Sequence, residues 1–478
     1  MIENQKIELK KISENVWEIP KQGNMKVPVR IFANEKLLEV MKKDITLIQA
    51  RNVACLPGVR KAFVMPDGHS GYGFPIGGVA AIDFEKGGIS PGGIGYDINC
   101  GVRLLKTNLI RKDVEGKIKE ITEAVFNNIP AGLGEGNVKI SSEELDKVLK
   151  YGAKWAVDNG YGNKDDLLHC EENGCMDTAD PKAVSNKAKS RGKGQLGSLG
   201  SGNHFLEVQY VDKVFDKEAA KVFGLEEGQV VFMIHCGSRG LGHQVCSDYI
   251  HEMELKFSDI VAKLPDRELV YAPSGTETCD RYLKAMSCAA NFAWCNRHVI
   301  GDLVRKSLKD VFGAKTKVDT VYDVAHNIAK IEEHEFEDGK HKVFLHRKGA
   351  TRAFGPNEEG IPEDYKKVGQ PILIPGSMGT SSYVLVGTKE GMKESYGSTA
   401  HGAGRMMSRM EAKREFRGET IQKELGQKGI FLKGHSMSGI AEEAPLAYKD
   451  IDEVVKVSDD VHIGRLVARL KPMGVVKG

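Results

Sequence analysis

The chain has 478 residues, 28% of them charged, and a formal net charge of only +2 at pH 7. At roughly 100–200 residues per domain, this length allows two or three domains or one large α/β enzyme body. The near-balanced charge excludes a uniformly basic nucleic-acid-binding protein, although a local basic groove is compatible with it. The 9 cysteines have no framework spacing, residues 1–6 lack the apolar core of a secretory leader, and no apolar run reaches the ~18 residues of a membrane span. These features predict a reducing compartment, the cytoplasm, and no membrane contact.

In chain order, the first 160 residues predict an alternation of strands and helices. A strand that begins near Gly58 is predicted to end at a loop carrying Asp67 and His69. Ser141 and Glu144 have the spacing of a capping box at the start of a helix. The other strands are predicted at 27–32, 77–82 and 102–105, and the helices at 35–50, 113–129 and 141–158.

Residues 160–200 are polar and glycine-rich and predict a long loop or a small insertion. After them, a strand over 230–234 delivers His235 at its C-terminal end, and a strand over 321–325 delivers His326 in the same way. Ligand groups at strand C-termini are typical of α/β enzymes. Further strands are predicted at 342–345, 371–374, 382–386 and 463–470, and helices at 243–255, 280–312, 405–426 and 450–457. With no linker or internal repeat, the pattern predicts an α/β fold in which mixed sheets are surrounded by helices.

Five candidate metal ligands stand beside glycine or asparagine turns, several of them at predicted strand ends. They are Asp97, Cys100, His204, His235 and His326. They offer oxygen, sulfur and nitrogen donors, and the absence of a Cys-x-x-Cys pair argues against a structural zinc site. Such a mixed set fits an open, catalytic, two-metal site in which the Cys100 thiolate could bridge both ions. The donors alone leave zinc, manganese and cobalt open, and the alternative for each residue is an ordinary buried polar side chain near a turn.

His401 lies among small residues at the predicted start of a helix, one turn before Arg405. A helix N-terminus and an arginine both favour a phosphate, so His401 is either a metal ligand, a nucleophile at phosphorus, or a capping or packing residue. Glycine turns at 192–195 and 375–379 could cradle phosphates through backbone N–H groups, but neither matches the P-loop pattern. A basic groove for a polyanion could be formed by Arg239, Lys348, Arg352 and Arg405. Taken singly, each of these cations is more simply a solvated surface residue.

Three residues of the polar segment, His169, Cys170 and Cys175, could form a second metal site. A reduced loop without a metal is the preferred interpretation of this segment. Cys236 directly follows His235 and is predicted to point away from it, because successive side chains of a strand alternate between its two faces.

Five motifs together closely resemble the RtcB family, whose members are GTP-dependent RNA-splicing ligases that join 3′-phosphate and 5′-hydroxyl ends. The motifs are DINCG at 97–101, GNHF at 202–205, HCGSR at 235–239, AHN at 325–327 and HGAGR at 401–405. The resemblance runs from residue 58 to Lys477. It implies a single catalytic domain over residues 1–478 with the family's own α/β fold, distinct from that of standard nucleotidyltransferase ligases. Residues 160–200 would be a possible loop insertion in it.

The resemblance also implies a role for each candidate site residue. Two Mn²⁺ ions per chain would be bound, one by Asp97, Cys100 and His204 and the other by Cys100, His235 and His326, so that Cys100 bridges them. His401 would become covalently linked to GMP. The guanylate pocket would consist of Asn203, His204, Phe205, Leu206, Glu207, His326, Asn327, Pro375, Gly376, Ser377, Met378, Ser382, His401, Gly402, Ala403, Gly404 and Lys477. The residues that contact RNA or triphosphate oxygens would be Arg239, Lys348 and Arg405.

By the same resemblance, the enzyme would open RNA 2′,3′-cyclic phosphates to 3′-phosphates and join them to 5′-hydroxyl ends. The reaction would pass through histidine–GMP and RNA–ppG intermediates, in tRNA splicing and in RNA repair. Its partners would be GTP, RNA such as tRNA exon halves, and an archaease-type activating protein. Two other interpretations compete with this one. A two-metal phosphoesterase would hydrolyse phosphates without GTP, and an RNA-binding or chaperone protein would use its histidines structurally.

Overall fold

Strands and helices alternate along the chain in the computed structural model, which describes residues 7–132 and 136–478. The strands are β1 Lys10–Ser13, β2 Val16–Ile19, β3 Val29–Phe32, β4 Val59–His69, β5 Ile76–Asp83, β6 Gly88–Ile89, β7 Gly101–Ile110, β8 Phe205–Val214, β9 Gln229–Cys236, β10 Ala272–Pro273, β11 Val318–Ala325, β12 Asn327–Phe336, β13 Gly339–Lys348, β14 Ala350–Arg352, β15 Pro371–Ile374, β16 Ser382–Val386, β17 Ser398–Ala400, β18 Phe431–Gly434 and β19 Arg465–Lys477. The α-helices are α1 Glu35–Met41, α2 Thr46–Val53, α3 Arg111–Val114, α4 Ile118–Asn128, α5 Ser142–Tyr151, α6 Ala153–Asp158, α7 Asp165–Leu168, α8 Asn186–Lys193, α9 Lys217–Phe223, α10 Arg239–Lys256, α11 Ser258–Val261, α12 Glu277–Phe312, α13 Lys389–Glu394, α14 Arg409–Glu415, α15 Gly418–Gln427, α16 Met437–Glu442 and α17 Ile451–Asp460.

Two large sheets contain most of these strands. Sheet A has the order β1-β2-β3-β4-β5-β13-β12, and sheet B has the order β11-β7-β9-β8-β19-β16-β15, with β18 paired to β19. Within them, β3 with β4 and β18 with β19 are parallel pairs, whereas the other neighbours run antiparallel. The short pairs β6–β10 and β14–β17 lie outside the two sheets. The predicted α/β fold of mixed sheets with surrounding helices is confirmed.

Helices cover both faces of sheet B. Successive side chains of its strands point to opposite faces, and each face packs into a core of its own. Leu104 of β7 belongs to the core beside α9, and the next residue, Leu105, belongs to the core beside α4 and α12. Helix α12 is 36 residues long and is buried through its central turns, where small side chains such as Ala289 and Ala293 let neighbours pack closely. It contacts α4, α5, α10 and β9. This helix therefore packs against one face of sheet B.

Several predicted helices are interrupted in the structure. The predicted helix over 141–158 is divided into α5 and α6 at Gly152, which has φ of +55° and packs so closely that a Cβ would lie 2.2 Å from the Gly174 carbonyl oxygen. Its capping box, Ser141 with Glu144, is confirmed. Three other predicted helices are likewise divided in two. The range 35–50 contains α1 and the start of α2, the range 113–129 contains α4 and the end of α3, and the range 405–426 contains α14 and most of α15.

Three further expectations near the site differ from the structure. Residues 160–200 are not simply a loop, since they contain α7 and α8. Strand β4 runs through to His69, so Asp67 and His69 lie in a buried strand and not in a loop. Helix α14 begins only at Arg409, capped by Ser408, so His401 is not at a helix N-terminus and follows the short strand β17.

Candidate metal centre and adjoining cavity

Four of the five candidate ligands meet because they occupy the ends of adjacent strands of sheet B. Cys100 precedes β7, His204 precedes β8, His235 is the penultimate residue of β9, and His326 follows β11. The register pairs Gly101 with both Cys236 and Ala325, and Phe205 with His235. Since these strands are antiparallel neighbours, the starts of β7 and β8 lie at the same edge of the sheet as the ends of β9 and β11.

The donor atoms form two groups that share the Cys100 sulfur. One consists of Asp97, Cys100 and His204, and the other of Cys100, His235 and His326. The Cys100 Sγ lies 3.4 Å from His204 Nε2 and 3.3 Å from His235 Nε2, and His235 Nε2 lies 3.3 Å from His326 Nε2. Nitrogen and sulfur ligands around one tetrahedral ion, with bonds of about 2.0–2.3 Å, are separated by roughly 3.3–3.6 Å. The donor atoms therefore have the spacing and chemistry that a divalent transition metal requires.

An ion pair and hydrogen bonds hold the residues of the first group together. His204 Nε2 lies 2.8 Å from Asp97 Oδ2. Burial by itself would raise the pKa of Asp97, but His204 lowers it well below its ordinary value. Burial by itself would lower the pKa of His204, but the ionised carboxylate of Asp97 beside it raises this pKa well above the ordinary value. Asp97 and His204 therefore form an ion pair, while the free Oδ1 of Asp97 accepts from Ser238 N at 2.9 Å.

The other three ligands are buried and neutral. Burial raises the pKa of the Cys100 thiol to about 11. It also lowers the pKa values of His235 and His326 well below 6.5, with neighbouring histidine charges adding to the effect. Neutral imidazoles are the form that binds a metal. Within the described parts of the chain, the Nδ1 atoms of His204 and His235 are buried without a hydrogen-bond partner.

Asp67 is a site residue to which sequence reasoning gave no role. Its Oδ2 accepts hydrogen bonds from the backbone N–H groups of His401 at 2.9 Å and Gly402 at 3.2 Å, and from His401 Nδ1 at 2.6 Å. Burial would raise the pKa of this carboxyl, but His401 and its hydrogen bonds, with Lys449, lower it. An ionised carboxylate only accepts, so Nδ1 of His401 carries the proton. The available signal was a carboxylate among apolar strand residues, directly before Gly68 and His69.

Lys449 ties the loop of His401 to the strand of Asp67. Its Nζ donates to the Gly68 carbonyl, and its backbone N–H donates to the Gly404 carbonyl at 2.9 Å. The imidazole of His401 lies with its ring centre 4.8 Å from that of His326, one of the candidate ligands. The predicted nucleophile and the candidate metal centre are therefore in direct contact.

An open cavity of about 890 Å³ extends over both groups. Most of the predicted guanylate residues line it: Asn203, His204, Phe205, His326, Asn327, Pro375, Gly376, Ser377, Met378, His401, Gly402, Ala403, Gly404 and Lys477. Leu206 does not, because it points to the opposite face of β8 and packs in the core beside α4. Glu207 and Ser382 lie beneath the lining, where the Ser382 hydroxyl accepts from Gly376 N at 3.1 Å. The structure thus brings together all of the predicted residues except Leu206.

Glu207 is a buried carboxyl with an unused acceptor. Its Oε2 accepts from Gln209 Nε2 at 2.7 Å, whereas its Oε1 has no hydrogen-bond partner among the described residues. Burial raises its pKa to about 8. It follows Phe205 by two residues on the same face of β8, and the Lys477 ammonium lies 5.7 Å from the centre of the Phe205 ring.

The predicted basic residues are not solvated surface side chains. Arg239 is buried and donates to Ser198 Oγ and the Gly132 carbonyl. Lys348 donates to the carbonyls of Tyr72 at 2.5 Å and Phe74 at 3.0 Å, and burial lowers its pKa to about 7. Arg405 pairs with Glu443 at 3.2 Å. All three line the cavity, together with three cations that sequence reasoning did not single out, Arg191, Arg409 and Lys413.

Arg352 does not join this basic lining. It is buried away from the cavity, where it donates to Gln370, Glu172 and the Tyr322 hydroxyl.

The His169 ring pairs with Asp364 at 2.8 Å, and Cys170 and Cys175 belong to neither group of potential ligands found in the described chain. Cys236 points away from the ligands, as strand alternation predicts, with its sulfur 2.8 Å from the Leu199 carbonyl oxygen. Across residues 7–132 and 136–478, no helix is both long and apolar enough to span a membrane.

Comparison with known proteins identifies close relatives over the whole chain. A family model described as tRNA-splicing ligase RtcB matches residues 49–478. The tRNA-splicing ligase RtcB of Thermococcus kodakarensis is 57% identical over 478 residues, which cover 99% of each chain. The proteins of the same name from Archaeoglobus fulgidus and Aeropyrum pernix are 53% identical over 477 residues and 54% identical over 478 residues, and each alignment covers 98% of this chain and 99% of the relative. The matched region includes Asp67 and every candidate site residue.

Proposed function

The chain belongs to the RtcB family of tRNA-splicing ligases, and we propose on this premise that it joins RNA 2′,3′-cyclic-phosphate or 3′-phosphate ends to 5′-hydroxyl ends. GTP is the cosubstrate and Mn²⁺ the metal. The observation that carries the proposal is the contact between His401 and His326, a member of one of the two ligand groups that line the same open cavity. A nucleophile, two metal positions and space for a nucleotide are thereby combined in one place.

His401 is the nucleophile of the first step. Its Nδ1–H donates to Asp67, which leaves Nε2 as the nitrogen with a free lone pair. Nε2 attacks the α-phosphorus of GTP, so a P–N bond forms while the bond from phosphorus to the pyrophosphate oxygen breaks. As positive charge develops on the ring, the Asp67 carboxylate stabilises it. The fixed tautomer and the buried carboxylate are what distinguish His401 from an ordinary surface histidine.

Two Mn²⁺ ions per chain fit the donor set. Asp97, Cys100 and His204 would hold one and Cys100, His235 and His326 the other, with the sulfur of Cys100 as the shared ligand. When bound, the ions supply Lewis-acid stabilisation of charge on phosphate oxygens. The remaining steps transfer GMP from His401 to the RNA 3′-phosphate, giving an RNA–ppG end. The 5′-hydroxyl then attacks this end and GMP leaves.

The guanine base binds beneath the turn formed by Pro375, Gly376, Ser377 and Met378. Guanine presents N1–H and N2–H donors side by side, and Glu207 offers a buried carboxyl oxygen that has no described protein partner. Burial raises the pKa of this carboxyl to about 8 in the free protein, and the guanine donors would favour its ionised form. Lys477 and the Phe205 ring lie next to it. Asn203, Asn327 and the small residues Gly402, Ala403 and Gly404 complete the pocket for GMP.

RNA phosphates lie along the basic lining of the cavity. Arg239, Lys348 and Arg405 form its inner part, and Arg191, Arg409 and Lys413 extend it. Such cations position a nucleic-acid backbone without reading its sequence. In the cell we place the enzyme in the cytoplasm, with tRNA exon halves or broken RNA as substrates and an archaease-type protein as activator.

One experiment separates this proposal from the two competing interpretations. The protein is incubated with Mn²⁺, α-³²P-labelled GTP and RNA halves that end in 2′,3′-cyclic phosphate and 5′-hydroxyl. We expect an acid-labile GMP adduct on the protein and joined RNA, both absent in His401→Ala. Phosphate hydrolysis without GTP and without an adduct would indicate a phosphoesterase, and RNA binding without turnover would indicate a chaperone.

A further inference from the structure

Arg297 of helix α12 is fully buried and reaches all three strand ends that carry the central ligands. Its Nη1 donates to the carbonyls of Asn99 and Cys236, each at 2.8 Å. Its Nη2 donates to Asn99 Oδ1 at 3.0 Å and to Asp323 Oδ1 at 2.8 Å, and its Nε donates to Asp323 Oδ1 at 2.9 Å. All three contacted residues are neighbours of ligands. Asn99 precedes Cys100, Cys236 follows His235, and Asp323 lies three residues before His326.

The guanidinium is fully used in these contacts. An arginine side chain has five N–H donors in a rigid planar fork, and here each of them has a protein acceptor. Because the fork is rigid, the three acceptor segments are fixed relative to one another and not only to the helix. A lysine ammonium at the same place has three donors and no plane, so it could make at most three of these five hydrogen bonds and would not hold the three segments in one fixed arrangement.

Asn99 strengthens the same connection. It adopts the left-handed conformation, with φ of +52°, and its Nδ2 donates to the Ala290 carbonyl two turns earlier on α12. Gly101 follows Cys100, and a Cβ there would lie 3.0 Å from the Arg297 Cζ. The segment that carries Cys100 therefore packs closely against α12 both before and after the ligand, at Asn99 and at Gly101.

We propose that Arg297 is a positioning residue of the metal centre, which sets the separation of Cys100, His235 and His326 and thereby the binding of both ions. It touches none of the ligand atoms and acts through the backbone segments that carry them. The inference rests on the metal centre of the proposed function, and its test separates the two.

Arg103 provides a matched control. It is equally buried and pairs with the same Asp323 carboxylate, at 2.7 Å from Nε to Oδ2. Its other hydrogen-bond neighbour is His298, at 3.4 Å, and within the described chain it makes no side-chain hydrogen bond to Asn99 or Cys236. Arg103→Lys therefore removes a buried guanidinium that pairs with the same carboxylate without releasing the segments of Cys100 and His235.

The test titrates wild type, Arg297→Lys and Arg103→Lys with Mn²⁺ while free Mn²⁺ is measured by electron paramagnetic resonance. A parallel titration with Co²⁺ follows the thiolate-to-cobalt absorption, which reports the Cys100 bond, and denaturant unfolding measures the stability of each variant. We expect Arg297→Lys to bind Mn²⁺ about 10- to 100-fold more weakly, as is usual when a support of a metal ligand is removed, with an altered cobalt spectrum. Arg103→Lys should also lose stability but keep the wild-type affinity and spectrum.

Wild-type affinity for both ions in Arg297→Lys would overturn the inference, and so would equal losses of affinity in both variants. If Arg297→Lys fails to fold, Asn99→Gly decides the question, because glycine tolerates the left-handed backbone and only the side-chain contacts to α12 disappear. Unchanged Mn²⁺ binding in Asn99→Gly would then reject the role of Arg297. A wild-type protein that binds neither Mn²⁺ nor Co²⁺ would reject the metal centre itself.

Discussion

Replacing Asp67 by asparagine tests how His401 is prepared for its reaction. In the native site, one oxygen of Asp67 accepts hydrogen bonds from the backbone N–H groups of His401 and Gly402 and from the Nδ1–H of His401. The other oxygen has no described partner. An asparagine can place its carbonyl oxygen on the first position and its amide on the second, so the loop geometry is retained while the negative charge is removed.

The expected magnitude follows from the type of hydrogen bond that is lost. A hydrogen bond to a charged group contributes about 1.5–3 kcal/mol, and each 1.36 kcal/mol corresponds to a factor of about ten in rate. Asp67→Asn should therefore slow formation of the His401–GMP adduct about 10- to 100-fold. The buried amide, left without an acceptor, should lower the free energy of unfolding by about 1–3 kcal/mol. Asp67 belongs to neither ligand group, so Mn²⁺ binding should not change.

The assay is a quench-flow measurement of adduct formation from α-³²P-labelled GTP at saturating Mn²⁺ and GTP. Metal content and denaturant unfolding are measured on the same preparations, and His401→Ala serves as the blank. Labelling of Asp67→Asn at the wild-type rate would refute the reasoning, since the tautomer and charge of His401 would then not depend on Asp67. Loss of Mn²⁺ together with labelling would show that Asp67 acts through the metal centre.

Three further predictions concern the nucleotide and the metal. Glu207→Gln should weaken GTP binding about 10- to 100-fold, because guanine N–H donors favour the ionised form of this carboxyl and would instead meet an amide N–H at one of its two oxygen positions; calorimetry with GTP and ATP checks this, and equal effects on both nucleotides would contradict it. At pH 7 the Cys100 thiol, with its pKa near 11, and the protonated His204 must both lose protons to bind a metal. Mn²⁺ affinity should therefore rise with pH and about two protons should be released, as calorimetry in buffers of different ionisation enthalpy measures; a buffer-independent heat would disprove this. Cys100→Ala should lose both ions, and two Mn²⁺ per chain in metal analysis would rule out a bridging thiolate.

The sequence was sufficient to single out the candidate ligands that the structure brings together, because each of them is marked locally. Cys100, His235 and His326 stand beside turns at the ends of apolar runs, and these ends meet once the strands are paired. The antiparallel register itself was not predictable from one chain, since it depends on which strands become neighbours in sheet B. Residues whose roles depend on distant partners were missed for the same reason. Asp67 contacts His401 across 334 positions, and Arg297 contacts Asn99 across 198.

The environment of His401 was misjudged for a different physical reason. The charged pattern after residue 404 has helical periodicity, which predicts one helix beginning beside the histidine. In the structure Ser408 caps a helix that begins at Arg409, and the chain before it is paired with the segment around Tyr448. Tertiary pairing thus overrides local propensity, and the negative partner of His401 is a buried carboxylate in place of a phosphate at a helix end.

The charges at the candidate centre are consistent with the proposed triphosphate site, which lacks a P-loop. Without metal, the ion pair of Asp97 and His204, the neutral thiol of Cys100 and the neutral rings of His235 and His326 leave no net charge. The two divalent ions of the proposal would meet only two anionic ligands, the carboxylate and the thiolate, so the loaded centre would have an excess of positive charge. In a buried site this excess is costly unless an anion shares it. The polyphosphate of GTP and the phosphates of RNA would be suitable anions, so on this proposal the ligand set itself, more than the glycine turns around it, favours a polyanionic substrate.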